Sequence, residues 1–326
     1  MINPLHDWFA SGSGVYASTD LDRLRTAPSV EAFNRMTERA LKSLPPLYLR
    51  PLAETRAERS AWSGRGSSKS ANWITIHSTS GSCRARLICG TAPRALCLHA
   101  HGGGWVLGGA DQQDPWLETL AAAGFAVLSV DYRLAPESPF PGALHDVTAV
   151  LEWLLEQGAA TLHLDCRQIV LCGESAGANL LVGALNRLKR HPAFTVVRAV
   201  GLHYGTYDLR GSHGLRAAPV GTPFLDWPLA DWFCRHYGAD HLREHPEVSP
   251  LLADLSGLPQ ALLVVGSDDP VLEDTLLMES RWRTAGSRAT AAVVAGGLHG
   301  MLEHRTPVTD FARRLVVRGL TLACEA

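Results

Sequence analysis

The chain has 326 residues, a formal net charge of −2, 46% apolar residues and 19% charged ones. That composition can bury a large core and excludes a disordered polymer. The near-zero charge leaves no basic footprint for nucleic acid and no polybasic patch for anionic lipid.

No apolar run approaches the ~18 residues that a membrane-spanning helix needs. Residues 1–7 carry no basic stretch followed by an apolar one, so no signal peptide is expected. The seven cysteines include no CxxC pair and several fall inside apolar runs. They read as buried thiols in a reducing cytoplasm rather than as a disulfide framework.

In chain order, helical patterns are expected at 5–9 and 30–44, and Pro45-Pro46 ends the second. Residues 55–71, rich in Ser, Gly and Arg, read as a surface connection. From Trp73 onward strands and helices alternate. Strands are expected at 73–77, 84–89, 94–100, 125–130, 168–172, 196–203, 261–265 and 289–294. Helices are expected at 115–123, 143–156, 176–189, 272–285 and 308–320. From residue 94 the strand segments are mostly unbroken apolar runs, as when helices cover both faces of a sheet. The alternation predicts an α/β fold with a mostly parallel central sheet. Residues 206–247 break the rhythm and read as an insertion over the working edge of the sheet, with one helix at 229–237.

Gly173-Glu174-Ser175-Ala176-Gly177 follows the apolar run Ile169–Cys172 and opens a helix. A strand, a sharp turn and a helix are the context in which a serine serves as a nucleophile. The flanking glycines permit the turn and a close backbone approach. A serine hydroxyl needs a base, and the base needs an orienting group. On a sheet of this kind both follow later, at strand C-termini, in the order acid and then histidine. Gly266-Ser267-Asp268-Asp269-Pro270 and Gly296-Gly297-Leu298-His299-Gly300 occupy those places. Asp269, beside Pro270, is preferred to Asp268. His299, between glycines, is preferred to His304 in its charged surroundings, although the chain has 14 histidines. His101-Gly102-Gly103-Gly104-Trp105, directly after the strand at 94–100, offers bare backbone N–H groups for an oxyanion. The N–H of Ala176, the residue after the nucleophile, would complete that set. His101 precedes the serine, the wrong order for a base on this sheet, and is expected to order the glycine loop.

These motifs resemble the hormone-sensitive-lipase-like branch of the α/β-hydrolases, which includes bacterial esterases and acetyl hydrolases. The likeness rests on His101–Trp105, on Asp131-Tyr132-Arg133-Leu134-Ala135-Pro136-Glu137 with Pro139-Phe140-Pro141, on Gly173–Gly177, on Asp269-Pro270 and on His299-Gly300. It implies an α/β-hydrolase fold with a helical cap. It also implies a Ser175–His299–Asp269 triad and oxyanion donors at Gly103, Gly104 and Ala176. Glu174 stands where the family usually has Asp, and residues 271–273 depart slightly from the usual continuation. The expected organisation is one domain over 1–326, with cap elements at about 1–50 and 206–247 and a catalytic core at about 73–205 and 248–326. Trp105, Trp227 and Trp232 are the candidate pocket walls.

The expected activity is hydrolysis of carboxylic esters of short to medium acyl chains through an acyl-enzyme, with a small-molecule ester as the partner and no cofactor. Amide or formamide hydrolysis and acyl transfer would use the same triad. A ligand receptor on this fold, as in the plant gibberellin receptor, lacks the triad histidine. Nucleotide-binding glycine motifs and HExxH are absent, and His99 with His101 show no third ligand, so no metal is expected. The sequence leaves oligomeric state open, a homo-oligomer included.

Overall fold

A computed structural model of the chain describes residues 13–16, 28–60, 66–78, 81–90, 92–164, 168–304 and 306–325. The helix expected at 5–9 and Cys166 lie outside the described residues. The strands are β1 (Ser13–Tyr16), β2 (Asn72–Ser78), β3 (Gly81–Ile88), β4 (Ala95–Ala100), β5 (Phe125–Val130), β6 (Ile169–Glu174), β7 (Val197–His203), β8 (Gln260–Gly266) and β9 (Ala289–Val294). They form one sheet in the order β1-β9-β8-β7-β6-β4-β5-β3-β2. Only the β2–β3 and β3–β5 pairings are antiparallel. β4 lies between β5 and β6, so the sheet grows in both directions from that strand. Ligands on open α/β sheets bind beyond the strand C-termini at such a reversal.

The α-helices of five or more residues among the described residues are α1 (Pro28–Lys42), α2 (Leu52–Ser60), α3 (Asp114–Ala122), α4 (Gly142–Trp153), α5 (Ala176–Leu188), α6 (His213–Ala217), α7 (Trp227–His236), α8 (Leu272–Thr284) and α9 (Pro307–Glu325). Successive strand residues face opposite sides, and β4 feeds two cores in turn. Leu96, Leu98 and Ala100 pack with Leu144 and Val147 of α4 and Leu181 of α5. Ala95 and Cys97 pack with Trp116 and Leu120 of α3 and Val316 of α9. Both faces are therefore covered, which is why the strand sequences are apolar without alternation.

Three sequence expectations are corrected. Ser13–Tyr16, inside the segment of about 1–50 expected to be a cap element, instead pairs in parallel with β9 and joins the sheet. Residues 52–60 form α2, overlapping the start of the 55–71 stretch expected as a surface connection; Leu, Ala, Glu and Arg favour helix there. Its Arg56 donates to Val106 O, Ala135 O and both Glu137 oxygens, pinning α2 beside the glycine loop. The insertion also holds α6 besides the helix expected near 229–237. Cys83, Cys97, Cys172 and Cys234 are buried thiols. Burial pushes Cys83 up to about 12 and Cys234 up to about 11. Among the described residues no helix is long and apolar enough to cross a membrane.

Candidate active site

Ser175 occupies the turn between β6 and α5 with φ 51° and ψ −115°. Left-handed backbone at a non-glycine residue costs on the order of 1–3 kcal/mol and persists only where packing enforces it. Here β4 and β6 leave no slack. A Cβ on Gly177 would lie 2.0 Å from Ala100 O, and one on Gly173 would lie 2.7 Å from the Leu181 side chain. The Ser175 N–H donates to His203 O at 2.9 Å, fixing the turn to β7.

Ser175 Oγ lies 3.0 Å from His299 Nε2. His299 Nδ1 lies 3.0 and 3.1 Å from the two oxygens of Asp269 and donates to that carboxylate. That bond leaves Nε2 as the acceptor facing the serine hydroxyl. Asp269 is buried and accepts a further hydrogen bond from Val271 N at 3.0 Å. Asp268 is exposed and accepts from Ser267 Oγ, so the adjacent carboxylate takes a turn role instead. The structure thus joins the three sequence-predicted residues in one hydrogen-bonded series. The Tyr204 ring meets the His299 ring edge-on at 5.2 Å.

The glycine loop after β4 reaches the same point. Gly103 and Gly104 have φ of 113° and 59°, and Trp105 follows at 62°. Space also requires the glycines: a Cβ on Gly103 would lie 2.2 Å from Leu107 O, and one on Gly104 would lie 2.3 Å from the Phe233 ring. His101 Nδ1 donates to Gly102 O at 2.7 Å and its ring stacks on Tyr132 at 4.1 Å, in keeping with its expected ordering role.

Gly103, Gly104, Ser175, Ala176 and His299 line one cavity of about 410 Å³. Its walls come from two segments. Leu41, Pro46 and Tyr48 belong to the first, and Phe224, Trp227 and Phe233 to the insertion. Trp105 and Trp227 line the cavity as expected, whereas Trp232 does not; its ring packs on Phe233 and His236. Leu229, Ala230 and Phe233 share one arc of α7 and line the cavity, Trp227 reaches it from the first position of the helix, and Trp232 falls outside that arc.

The insertion is tied down by residues that the sequence did not single out. Asn179 Nδ2 donates to Thr206 O and Val248 O. Asp274 accepts from the N–H groups of Tyr207 and Asp208 at 2.8 and 3.1 Å. Glu273 Oε2 accepts from Gly214 N at 2.6 Å. Burial pushes the Asp274 carboxyl up to about 6, against its hydrogen bonds, which favour the anion. From α1, Asn34 Nδ2 donates to Gly296 O, and Phe33 packs on His304, whose ring also stacks on Phe224. Acidic residues in the first turn of α8 were visible as a helix-start signal; nothing in the sequence marked Asn34.

A family model described as alpha/beta hydrolase fold matches residues 97–303. The carboxylesterase NlhH of Mycobacterium tuberculosis is 36% identical over 185 residues, 55% of this chain and 57% of that protein. An arylesterase of Saccharolobus solfataricus is 34% identical over 211 residues, 64% of this chain and 68% of that protein. The match thus spans little more than half the length of the first relative. Among solved structures, a hyperthermophilic esterase from Pyrobaculum calidifontis superposes with a TM-score of 0.80 at 26% identity, covering 90% of this chain and 98% of that one.

Proposed function

The chain belongs to the α/β-hydrolase fold family, with the motifs of its hormone-sensitive-lipase-like branch, and from that premise we propose that it is a serine esterase acting on small carboxylic esters. The observation that carries this reading is the 3.0 Å approach of Ser175 Oγ to a His299 whose other nitrogen is held by Asp269.

Ser175 Oγ attacks the ester carbonyl carbon as His299 Nε2 takes the hydroxyl proton. The carbonyl π pair moves onto oxygen, and the N–H groups of Gly103, Gly104 and Ala176 stabilise that oxyanion. When the tetrahedral intermediate collapses, the alkoxide leaves with the proton from His299, and Ser175 carries the acyl group. Water, deprotonated by the same imidazole, then attacks the acyl carbon, and as the second tetrahedral intermediate collapses the acid leaves and His299 returns the proton to Ser175 Oγ. Asp269 fixes the tautomer of His299 and stabilises the imidazolium in both halves. The residues so arranged need no cofactor.

Residues 28–50 and 206–247 act as the cap. They enclose the apolar acyl site and exclude water from it. A cavity of about 410 Å³ lies at the small end of ligand pockets and favours short to medium acyl chains. The names of the relatives, carboxylesterase and arylesterase, agree with ester chemistry. The test is turnover of a p-nitrophenyl ester series by the purified chain, with a fluorophosphonate adduct mapped by mass. Turnover with the adduct on Ser175 supports the reading; no turnover, or an adduct elsewhere, overturns it.

A further inference from the structure

Glu174 precedes Ser175 and is completely buried. Its carboxylate takes N–H groups from three separate elements. His99 Nε2 of β4 lies 2.8 Å from Oε2. Trp116 Nε1 of α3 donates to Oε1 at 3.1 Å, and His203 Nδ1 of β7 approaches Oε1 at 3.4 Å. Isolated carboxylates are expelled from such interiors, and three converging donors are what an anion there requires.

The ring partners bear on the local charge. His99 Nδ1 lies 2.8 Å from Ser129 Oγ, a hydroxyl able to donate to it. His203 Nε2 is buried and finds no hydrogen-bond partner among the described residues. A proton there would be an unsatisfied buried N–H, so the neutral Nδ1–H tautomer suits His203. In these tautomers the cluster would carry the single negative charge of Glu174. Cys172 and Cys97, also adjacent, are thiols pushed upward by burial and carry no charge. Arg313 of α9 faces the cluster across Trp116, its guanidinium 5.7 Å from that ring.

The cluster also touches both ends of the Ser175–His299 pair. The backbone carbonyl of His203 receives the Ser175 N–H, and its chain neighbour Tyr204 packs edge-on against His299. The charged and titratable groups around His299 include Asp269 in contact, Glu174 behind the turn, Tyr204, Glu303, His304, Asp208, Asp226 and Arg50 at the cavity wall, and Arg313 behind Trp116. We propose that Glu174 is a positioning residue of the esterase site: a buried anion, held by His99, Trp116 and His203, that fixes the serine turn and favours the imidazolium of His299 from behind.

This inference rests on the esterase reading. The test is the pH profile of kcat/KM for wild type, Glu174→Gln and Glu174→Asp. Removing a nearby anion disfavours the imidazolium, so protonation of the base then needs a lower pH. In Glu174→Gln the acid limb moves down by about half a pH unit or more and kcat falls about tenfold, with KM changed less than kcat. Glu174→Asp keeps the charge and holds the acid limb near its wild-type position. A loss of fold integrity alone would lower the active fraction without moving the limb. An unmoved limb in a folded Glu174→Gln enzyme overturns the proposal, while absence of ester turnover in wild type overturns the esterase reading instead. Nitrogen NMR of the wild-type histidines supplies an arm that needs no variant. The proposal requires His99 and His203 to be neutral across the active pH range, and an imidazolium at either would cancel the charge and overturn it.

Discussion

Asn34 in the first helix donates its side-chain amide to Gly296 O at 3.0 Å, gripping the loop that carries His299 from the far end of the sequence. One residue earlier, Phe33 packs on His304 at the other end of that loop. The first helix thereby touches the loop on both sides of His299. Asn34→Asp tests the link with a nearly isosteric side chain, because an ionised carboxylate cannot donate to a carbonyl. A neutral hydrogen bond is worth about 1 kcal/mol net, so kcat should fall about two- to tenfold with the melting temperature little changed. Asn34→Gln should recover part of the loss.

The nucleophile is the sharpest assignment. A fluorophosphonate should label one site, and Ser175→Ala should lower kcat by on the order of 10⁶. Mass spectrometry of the labelled peptide checks the site, and steady-state kinetics the magnitude.

The glycine loop should tolerate no side chain. A Cβ at Gly103 would run into Leu107 O, and one at Gly104 into the Phe233 ring. Either alanine variant should displace an oxyanion donor and lower kcat by about 10²–10³ while leaving the sheet folded. Circular dichroism beside kinetics separates the two effects.

The cavity walls make a paired prediction. Trp227 lines the cavity and Trp232 does not. Wild type should prefer acyl chains of about two to eight carbons to those of about sixteen. Trp227→Ala should relax that preference toward longer chains. Trp232→Ala should change stability more than chain-length profile.

Asp274 predicts a pH dependence of stability. Its folded-state pKa, raised to about 6 by burial, lies above the value of an unfolded aspartate. Between those two values the folded protein holds the extra proton, so this group lowers stability as pH rises from about 4 to about 6. The full cost, on the order of 3 kcal/mol, is present above that window. Asp274→Asn keeps an acceptor for the Tyr207 and Asp208 N–H groups and cannot ionise. Its melting temperature should therefore vary less with pH across the window than that of wild type.

The parts most legible in the sequence were those built from contiguous residues. The strand and helix around Ser175 and the loops at Asp269 and His299 are each a local pattern, and the parallel fold fixed where they meet. What escaped notice depends on partners distant in the chain. Glu174 draws its donors from His99, Trp116 and His203, and no spacing rule links those positions. β1 is four residues long and includes a glycine, and only its pairing with β9 makes it a strand. The misplacement of Trp232 was one of helical phase, since residue type alone does not say which face of α7 meets the cavity.

The pairing of Ser13–Tyr16 with β9 bears on how the cap can be probed. Removing residues 1–40 would strip an outer strand as well as α1. The apolar strand Ala289–Val294, five of whose six residues are buried, would then present unpaired backbone N–H and C=O groups. Such a fragment is a template for strand addition by a second copy, and its lost activity would reflect self-association as much as an open pocket. Point substitutions at Phe33, Asn34 and Tyr48 leave that margin of the sheet sealed while altering the cap itself.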